Sequence, residues 1–387
     1  MSGARGFPKA EHRARVARAQ AAMAEAGLAA LLLTTEPEVR YVTGFLTRFW
    51  ESPTRPWFVV VPAAGDPVAV IPAIGAPLMA TTWISDIRTW RAPDYTDDGV
   101  SLLADTLREV ARADGAIGVP SGGETHLRMP LADWARLGRA LGRDRLRCDA
   151  GILRRLRMVK SEAEVAKVAA ACAIADRAFV RVPEIAIPGV PLSEVFRRFQ
   201  ILCLEEGADW VPYLAGGAAP GGYTDVISPA TDRALVAGDV LMLDTGLVRD
   251  GYFCDFDRNF ALGSASDTLA SAHARLIEAT AAGFEAARPG ATAADVFHAM
   301  DRIVTGGAGG SDAGRLGHGL GMQLTEPPSL IPADNTVLEP GMILTLEPGV
   351  DMGDGRILVH EEDIVVAETG ARWLSTPSAS AIREIGV

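Results

Sequence analysis

Two stretches decide the fold: Val240-Leu-Met-Leu-Asp244-Thr-Gly246 and Gly251-Tyr-Phe-Cys-Asp255-Phe-Asp257-Arg-Asn-Phe260. Each is a short apolar run carrying an aspartate, and glycines stand between them, which is the pattern of a β-hairpin. Asp244 and Asp255 are eleven residues apart, so the hairpin brings one carboxylate from each strand near a single point. Further along, three more polar residues stand at the ends of apolar runs. His318 lies in Gly317-His318-Gly319-Leu320-Gly321, whose small residues let the backbone approach a crowded centre. Glu347 follows the run Met342–Leu346 and precedes Pro348-Gly349. Glu362 lies in Val359-His360-Glu361-Glu362-Asp363, directly before Ile364-Val365-Val366.

Four carboxylates and an imidazole cannot share a buried site as they stand, because mutual repulsion would protonate some of them. Two divalent cations would cancel four carboxylate charges, so this set makes chemical sense as a dinuclear metal site. Oxygen-rich ligation with one nitrogen suits manganese first, with iron, cobalt or zinc as alternatives, and not a closed structural zinc site.

The rest of the chain agrees with an enzyme. It has 387 residues, 48% apolar and 22% charged, with a formal net charge of −12. That balance excludes a disordered protein, and the acidic excess argues against a nucleic-acid binder. The most apolar stretch, Phe58–Ala80, is broken by Asp66 and by Pro62, Pro67, Pro72 and Pro77, so no spanning helix is expected. The four cysteines are scattered without a C-x-x-C pair, which fits reduced thiols in the cytoplasm.

Helix patterns at about 11–26, 101–113 and 131–141 alternate with strand-like runs at 29–33, 57–61, 68–71 and 116–119, giving an α/β unit. The Arg-rich stretch Arg143–Lys160 marks the boundary; it reads either as a salt-bridged linker or as a landing site for an acidic ligand. The domains are therefore set at 1–152 and 153–387. Ser161 and Glu164 form a capping box for a long helix to about Val182. A second helix is expected over 193–206, then a Gly-rich passage at 214–222, strands at 240–244 and 258–262, and helices near 267–287 and 292–304. The last eighty or so residues read as strands and turns.

Taken in order, Asp244, Asp255, the Gly-His-Gly motif at His318, Glu347-Pro348-Gly349 and Glu362-Asp363 resemble the pita-bread metallopeptidase family, which includes prolidase, aminopeptidase P, methionine aminopeptidase and creatinase. The likeness runs from about Leu153 to Val387. Thr34-x-x-Pro37-x-x-x-Tyr41-Val-Thr-Gly44-Phe45 resembles the N-terminal domain of the creatinase and prolidase branch. The resemblance implies an α/β (α+β) protein, with a creatinase-like domain followed by a pita-bread domain, working as a homodimer. It also implies that Asp244, Asp255, His318, Glu347 and Glu362 bind two metals. Asp255 and Glu362 would bridge them, a water held between the metals would attack the scissile carbonyl, and Glu347 would accept its proton. Asp257 is read as the partner of Arg258.

The sequence departs from the peptidase pattern in three places. Thr325-Glu326-Pro327-Pro328 stands where His-Glu-Pro-Pro is usual. Pro220-Gly221-Gly222-Tyr223-Thr224 lacks an upstream histidine. His360 stands two positions before Glu362, where arginine is usual. Thr325 cannot take a proton near neutral pH; His360 either supplies the missing imidazole or is a supporting or surface residue. Glu347, His360 and Thr325 are thus the candidate catalytic residues. Trp50, Trp210, Tyr213 and Tyr223 are the candidate substrate contacts, the alternative being ordinary packing. The expected substrates are Xaa-Pro dipeptides or short peptides. The alternative is a small osmolyte-like zwitterion, handled by a lyase or non-peptide amidohydrolase resembling dimethylsulfoniopropionate lyase or ectoine hydrolase. A third reading, a non-catalytic binding protein, is disfavoured by the complete ligand set.

Overall fold

A computed structural model describes residues 5–52, 55–111, 114–311 and 314–386. The chain divides into two compact units, Met1–Arg157 and Met158–Val387.

The first unit is built on a six-stranded sheet of order β4-β3-β2-β1-β5-β6. Its strands are β1 (Leu28–Leu33), β2 (Phe58–Pro62), β3 (Val68–Pro72), β4 (Asp86–Trp90), β5 (Ala116–Val119) and β6 (Leu146–Cys148). Pairings β1–β2 and β2–β3 are antiparallel; β1–β5, β3–β4 and β5–β6 are parallel. The helices are α1 (Lys9–Glu25), α2 (Glu36–Thr43), α3 (Ala76–Met79), α4 (Val100–Ala111), α5 (Leu131–Leu141) and α6 (Ile152–Met158). Leu103 and Leu107 of α4 and Leu137 of α5 pack on Phe58, Val60 and Val70, joining helices and sheet in one core. Two residues of the helix expected over 101–113, Arg112 and Ala113, lie outside the described residues. Helix α2 was not foreseen: its signal is the capping box of Thr35 and Glu38, with Pro37 in the first turn.

The second unit opens at α7 (Glu162–Val180), where Ser161 and Glu164 form the expected capping box. Then come α8 (Leu192–Glu205), β7 (Trp210–Pro220), β8 (Asp239–Arg249), β9 (Tyr252–Phe253), β10 (Phe256–Leu262), α9 (Asp267–Ala286) and α10 (Ala293–Val304). The last part contains β11 (His318–Gly319), β12 (Glu326–Ser329), β13 (Ile343–Leu346), β14 (Gly349–Gly353), β15 (Arg356–Val359), β16 (Glu362–Val366), β17 (Ala371–Trp373) and β18 (Arg383–Ile385). They form two sheets, β18-β10-β8-β7 with β9 paired to β8, and β12-β11-β13-β16-β17, plus the ribbon β14–β15. The passage 214–222, expected as a Gly-rich lead-in, is mostly strand. Gly216 has φ +147, and a Cβ there would lie 2.1 Å from the Met242 carbonyl, so the close approach of β8 accounts for the glycine.

Period-two alternation sorts the side chains of the second sheet. Leu344 and Leu346 of β13 and Ile364 and Val366 of β16 pack with Ala279 of α9 and with Phe297 and Met300 of α10. Thr345 and Asp363, paired across the same two strands, face the other way. That second face is where the polar residues gather.

Candidate metal centre

Both sheets of the second unit carry residues of the expected ligand set. Asp244 stands within β8 and Asp255 in the turn between β9 and β10. His318 is on β11, Glu347 just after β13 and Glu361 just before β16. Ligand atoms of Asp255, His318 and Glu361 lie within 4.8 Å of one another, and all three residues are buried. His318 Nε2 is 3.5 Å from Asp255 Oδ2. Its Nδ1 donates to the Gly319 carbonyl at 2.8 Å, which leaves the Nε2 lone pair for the cluster. The flanking glycines allow this crowding: a Cβ on Gly317 would meet the Thr345 carbonyl at 2.2 Å, and one on Gly319 the Pro327 carbonyl at 2.2 Å. Strand β11 is further fixed by the His318 amide, which donates to Thr345 Oγ1 at 3.1 Å. The Asp255 amide donates to Asp363 Oδ2 at 2.9 Å and so ties the two sheets together.

The electrostatics of the cluster fit a bound cation. Burial, then the charges of Asp257 and Glu347, push Asp244 well above the usual carboxylate range. Burial and the charges of Asp244, Asp363 and Glu347 do the same to Asp255. For Glu361 the causes are burial, Asp255, Glu347 and Asp244. Burial lifts Glu347 to about 7, and burial lowers His318 to about 4. Asp244 Oδ1 and Glu361 Oε1 are buried with no hydrogen-bond partner. Unpartnered carboxylate oxygens, mutual repulsion and a neutral imidazole are what a divalent ion resolves. The donor set therefore fits hard or borderline divalent metals.

One ligand assignment needs correction. Glu362, expected as a bridging ligand, points the other way. Its register partner is Leu346, on the face covered by α9 and α10. Its carboxylate pairs with Arg258 at 3.0 Å, lies 3.2 Å from His360 Nε2, and accepts from Ser375 Oγ and the Ser378 amide. Burial would raise it, but Arg258, His360 and Ser375 outweigh burial and hold it at about 2. Glu361 takes the place expected of Glu362. Adjacent residues in an extended chain face opposite sides, so only one of the two can reach the cluster.

His360 is also displaced from the expected role. It is 1% exposed, with Nδ1 3.3 Å from Asp257 and Nε2 3.2 Å from Glu362, so both nitrogens are turned to carboxylates outside the cluster. With Glu361 as the cluster residue, the position two before it is Val359. Asp257 therefore pairs with His360 and the Glu361 amide, not with Arg258 as expected; Arg258 Nη1 donates to the backbone carbonyls of Asp257 and Glu361. Tyr223, expected to touch substrate, is 2% exposed. Its hydroxyl donates to Asn259 Oδ1 at 3.1 Å and accepts from the Val359 amide at 2.8 Å, a structural post. Tyr213 does reach the cluster, its hydroxyl donating to Asp244 Oδ2 at 3.0 Å. Trp210 is half-buried at the start of β7, and Thr325 half-buried in the loop before β12. That loop is held by Glu326, which pairs with Lys160 at 3.1 Å and accepts from the Met322 and Gln323 amides. In the first unit, Trp50 packs 5.9 Å from the Trp57 ring, with the Arg128 guanidinium 5.2 Å from its own ring. Its neighbours Pro53 and Thr54 lie outside the described residues.

The model of metallopeptidase family M24 matches residues 166–369. The chain belongs to metallopeptidase family M24. The creatinase/prolidase N-terminal domain matches residues 15–159, so the M24 unit follows the N-terminal domain of that branch. Over 374 residues the chain is 33% identical to the probable dipeptidase PepE of Mycobacterium tuberculosis, covering 95% of this chain and 96% of that protein. A Xaa-Pro dipeptidase of Pyrococcus furiosus is 30% identical over 58% of this chain and 65% of its own. The crystal structure of the dipeptidase PepE from Mycobacterium ulcerans superposes with a TM-score of 0.84 at 30% identity, covering 98% of this chain and 99% of that one. A prolidase from Thermococcus sibiricus shares the fold at a TM-score of 0.84 and 22% identity, over 96% of this chain and 99% of that one. The M24 chain is a metallopeptidase-type hydrolase, and the expected two-domain α/β architecture with a pita-bread second domain holds. Among the described residues, no helix is long and apolar enough to cross a membrane.

Proposed function

We propose that this chain hydrolyses short peptides, Xaa-Pro dipeptides first among them, at two divalent ions held by Asp244, Asp255, His318, Glu347 and Glu361. The observation that carries the reading is the convergence of Asp255, His318 and Glu361 within 4.8 Å, in a family whose relatives include proteins named dipeptidase and Xaa-Pro dipeptidase. Four carboxylates balance the charge of two divalent ions, manganese being the first choice for this donor set. Bound there, such ions supply Lewis acidity toward a carbonyl and ease deprotonation of a water.

The chain's own residues do the rest. Glu347 is the carboxylate we assign to accept the proton of the attacking water and to return it to the leaving nitrogen. Tyr213 fixes one oxygen of Asp244 and leaves the other for a ligand. His318 is held in one tautomer by the Gly319 carbonyl. Thr325 offers a hydroxyl, able to orient a substrate but not to shuttle its proton. Trp210 and Tyr213 are the side chains we would place against substrate, while Trp50 stays an expectation from the sequence; we take the working form to be a homodimer on the family resemblance, and cytoplasmic on the scattered cysteines.

Proline release from a series of Xaa-Pro dipeptides by manganese-loaded protein tests the reading, with Asp244→Asn as the control. Release that vanishes in the control supports it. Absence of release from protein carrying its full metal would overturn it and favour a small non-peptide zwitterion, consistent with Thr325 standing where the peptidases have histidine.

A further inference from the structure

Glu361 differs from other members of the cluster in what holds it. Tyr213 fixes one oxygen of Asp244, and the Gly319 carbonyl fixes the His318 ring. Among the described residues no hydrogen bond reaches the Glu361 carboxylate, and its Oε1 is buried without a partner. Its place beside Asp255 and His318 is therefore set through its backbone, in the short passage from Val359, which ends β15, to Glu362, which opens β16.

Three consecutive residues of β10, on the other sheet, grip that passage. Asp257 Oδ1 accepts from the Glu361 amide at 3.1 Å, and His360 Nδ1 lies 3.3 Å from the same oxygen. Arg258 donates to the Glu361 carbonyl at 3.3 Å and to the Glu362 carboxylate at 3.0 Å. Asn259 Nδ2 donates to the Val359 carbonyl at 2.6 Å, while its Oδ1 accepts from the Tyr223 hydroxyl. The remaining amides are also taken: that of Val359 donates to the Tyr223 hydroxyl at 2.8 Å, and that of His360 to the Pro348 carbonyl at 3.1 Å. Of these contacts, the one at Asp257 is made by a carboxylate to the amide of Glu361 itself. Such a bond is charge-assisted, and both residues are buried.

We propose that Asp257 is a positioning residue for the metal centre: by holding the Glu361 amide it aims the Glu361 carboxylate into the cluster, without ligating an ion itself. The inference rests on the ligand set proposed above. A rival account is electrostatic. Asp257 is the register partner of Asp244, and its Oδ2 is buried without a partner, so its charge or a direct bond to metal could matter instead. Asparagine separates the two, because it keeps an acceptor for the amide and removes the charge. A residue that acts through Glu361 should also lose its effect once the Glu361 carboxylate is gone.

Manganese affinity of the full-length chain, read by competition with a chelator, tests the proposal. Asp257→Ala should weaken one ion by at least about tenfold, and Asp257→Asn should stay within about threefold of the parent. In a Glu361→Gln background, Asp257→Ala should change the affinity that remains by less than about twofold. Melting of the metal-free proteins shows which variants fold; Asp257→Leu, close to aspartate in shape, takes the place of Asp257→Ala where the latter does not, with the same expected loss. Three results would overturn the proposal: parent-like affinity without the acceptor, equal loss in Asp257→Ala and Asp257→Asn, or losses that add in the double variant. Affinity unchanged by Glu361→Gln alone would overturn the ligand set, and this inference with it.

Discussion

Glu361 and Glu362 are neighbours in the chain with carboxylates in opposite electrostatic environments. Glu361 joins Asp255 and His318 and is pushed well above the carboxylate range by burial and by Asp255 and Glu347. Glu362 is fastened to Arg258 and held at about 2. One strand therefore presents a metal-ready carboxylate on one face and a salt-bridged anchor on the other.

The anchor predicts an acid limb of stability. The ordinary value for Glu362 is 4.5 and its folded value about 2. A depressed folded value stabilises the protein above the ordinary value, and the contribution fades as pH falls from 4.5 toward 2. It amounts to about 3 kcal/mol. Glu362→Gln should lower the melting temperature at pH 7 and flatten its decline between pH 5 and 3, read by thermal denaturation across pH. An unchanged acid limb would contradict the pairing.

Metal loading should release protons. Asp244, Asp255 and Glu361 are raised well above the carboxylate range, and Glu347 to about 7, so the metal-free cluster holds protons at pH 6 that cations must displace. Manganese titrations at pH 6 in buffers of different ionisation enthalpy should show release of about one proton or more. A heat independent of buffer would argue against the raised values.

Tyr213→Phe removes the hydrogen bond to Asp244 Oδ2 and leaves the ring. By analogy with other groups that orient a ligand, metal affinity should fall roughly tenfold or more, with melting in the presence of excess metal little changed. An affinity equal to the parent would mean that the hydroxyl does not position Asp244.

Lys160 and Glu326 form a buried pair, both side chains no more than 3% exposed. Lys160→Met leaves the Glu326 charge without its partner and should cost about 3 kcal/mol or more, a fall in melting temperature on the order of 10 °C. Adding Glu326→Gln should recover part of it. A double variant less stable than the single one would remove this account of the pair.

Much of this was legible in the sequence because the signals were local. Gly-rich spacing around His318, apolar runs ending at Asp244 and Glu347, and the Ser161 capping box each act over a few residues. The choice between Glu361 and Glu362 was not local. It depends on which face of β16 lies under α9 and α10, and so on the packing of Ile364 and Val366. A cue was present in Arg258, three residues past Asp255, which needs a carboxylate partner and finds Glu362. Strand β7 was missed for the opposite reason: its glycines look like loop until the close approach of Met242 is seen.

The most direct test is the metal content of the manganese-loaded protein and two variants, measured by elemental analysis after removal of free ion. Charge balance predicts two ions per chain in the parent and in Glu362→Gln, and fewer in Glu361→Gln, with an affinity at least about a hundredfold lower. Full loading of Glu361→Gln together with loss from Glu362→Gln would contradict the assignment.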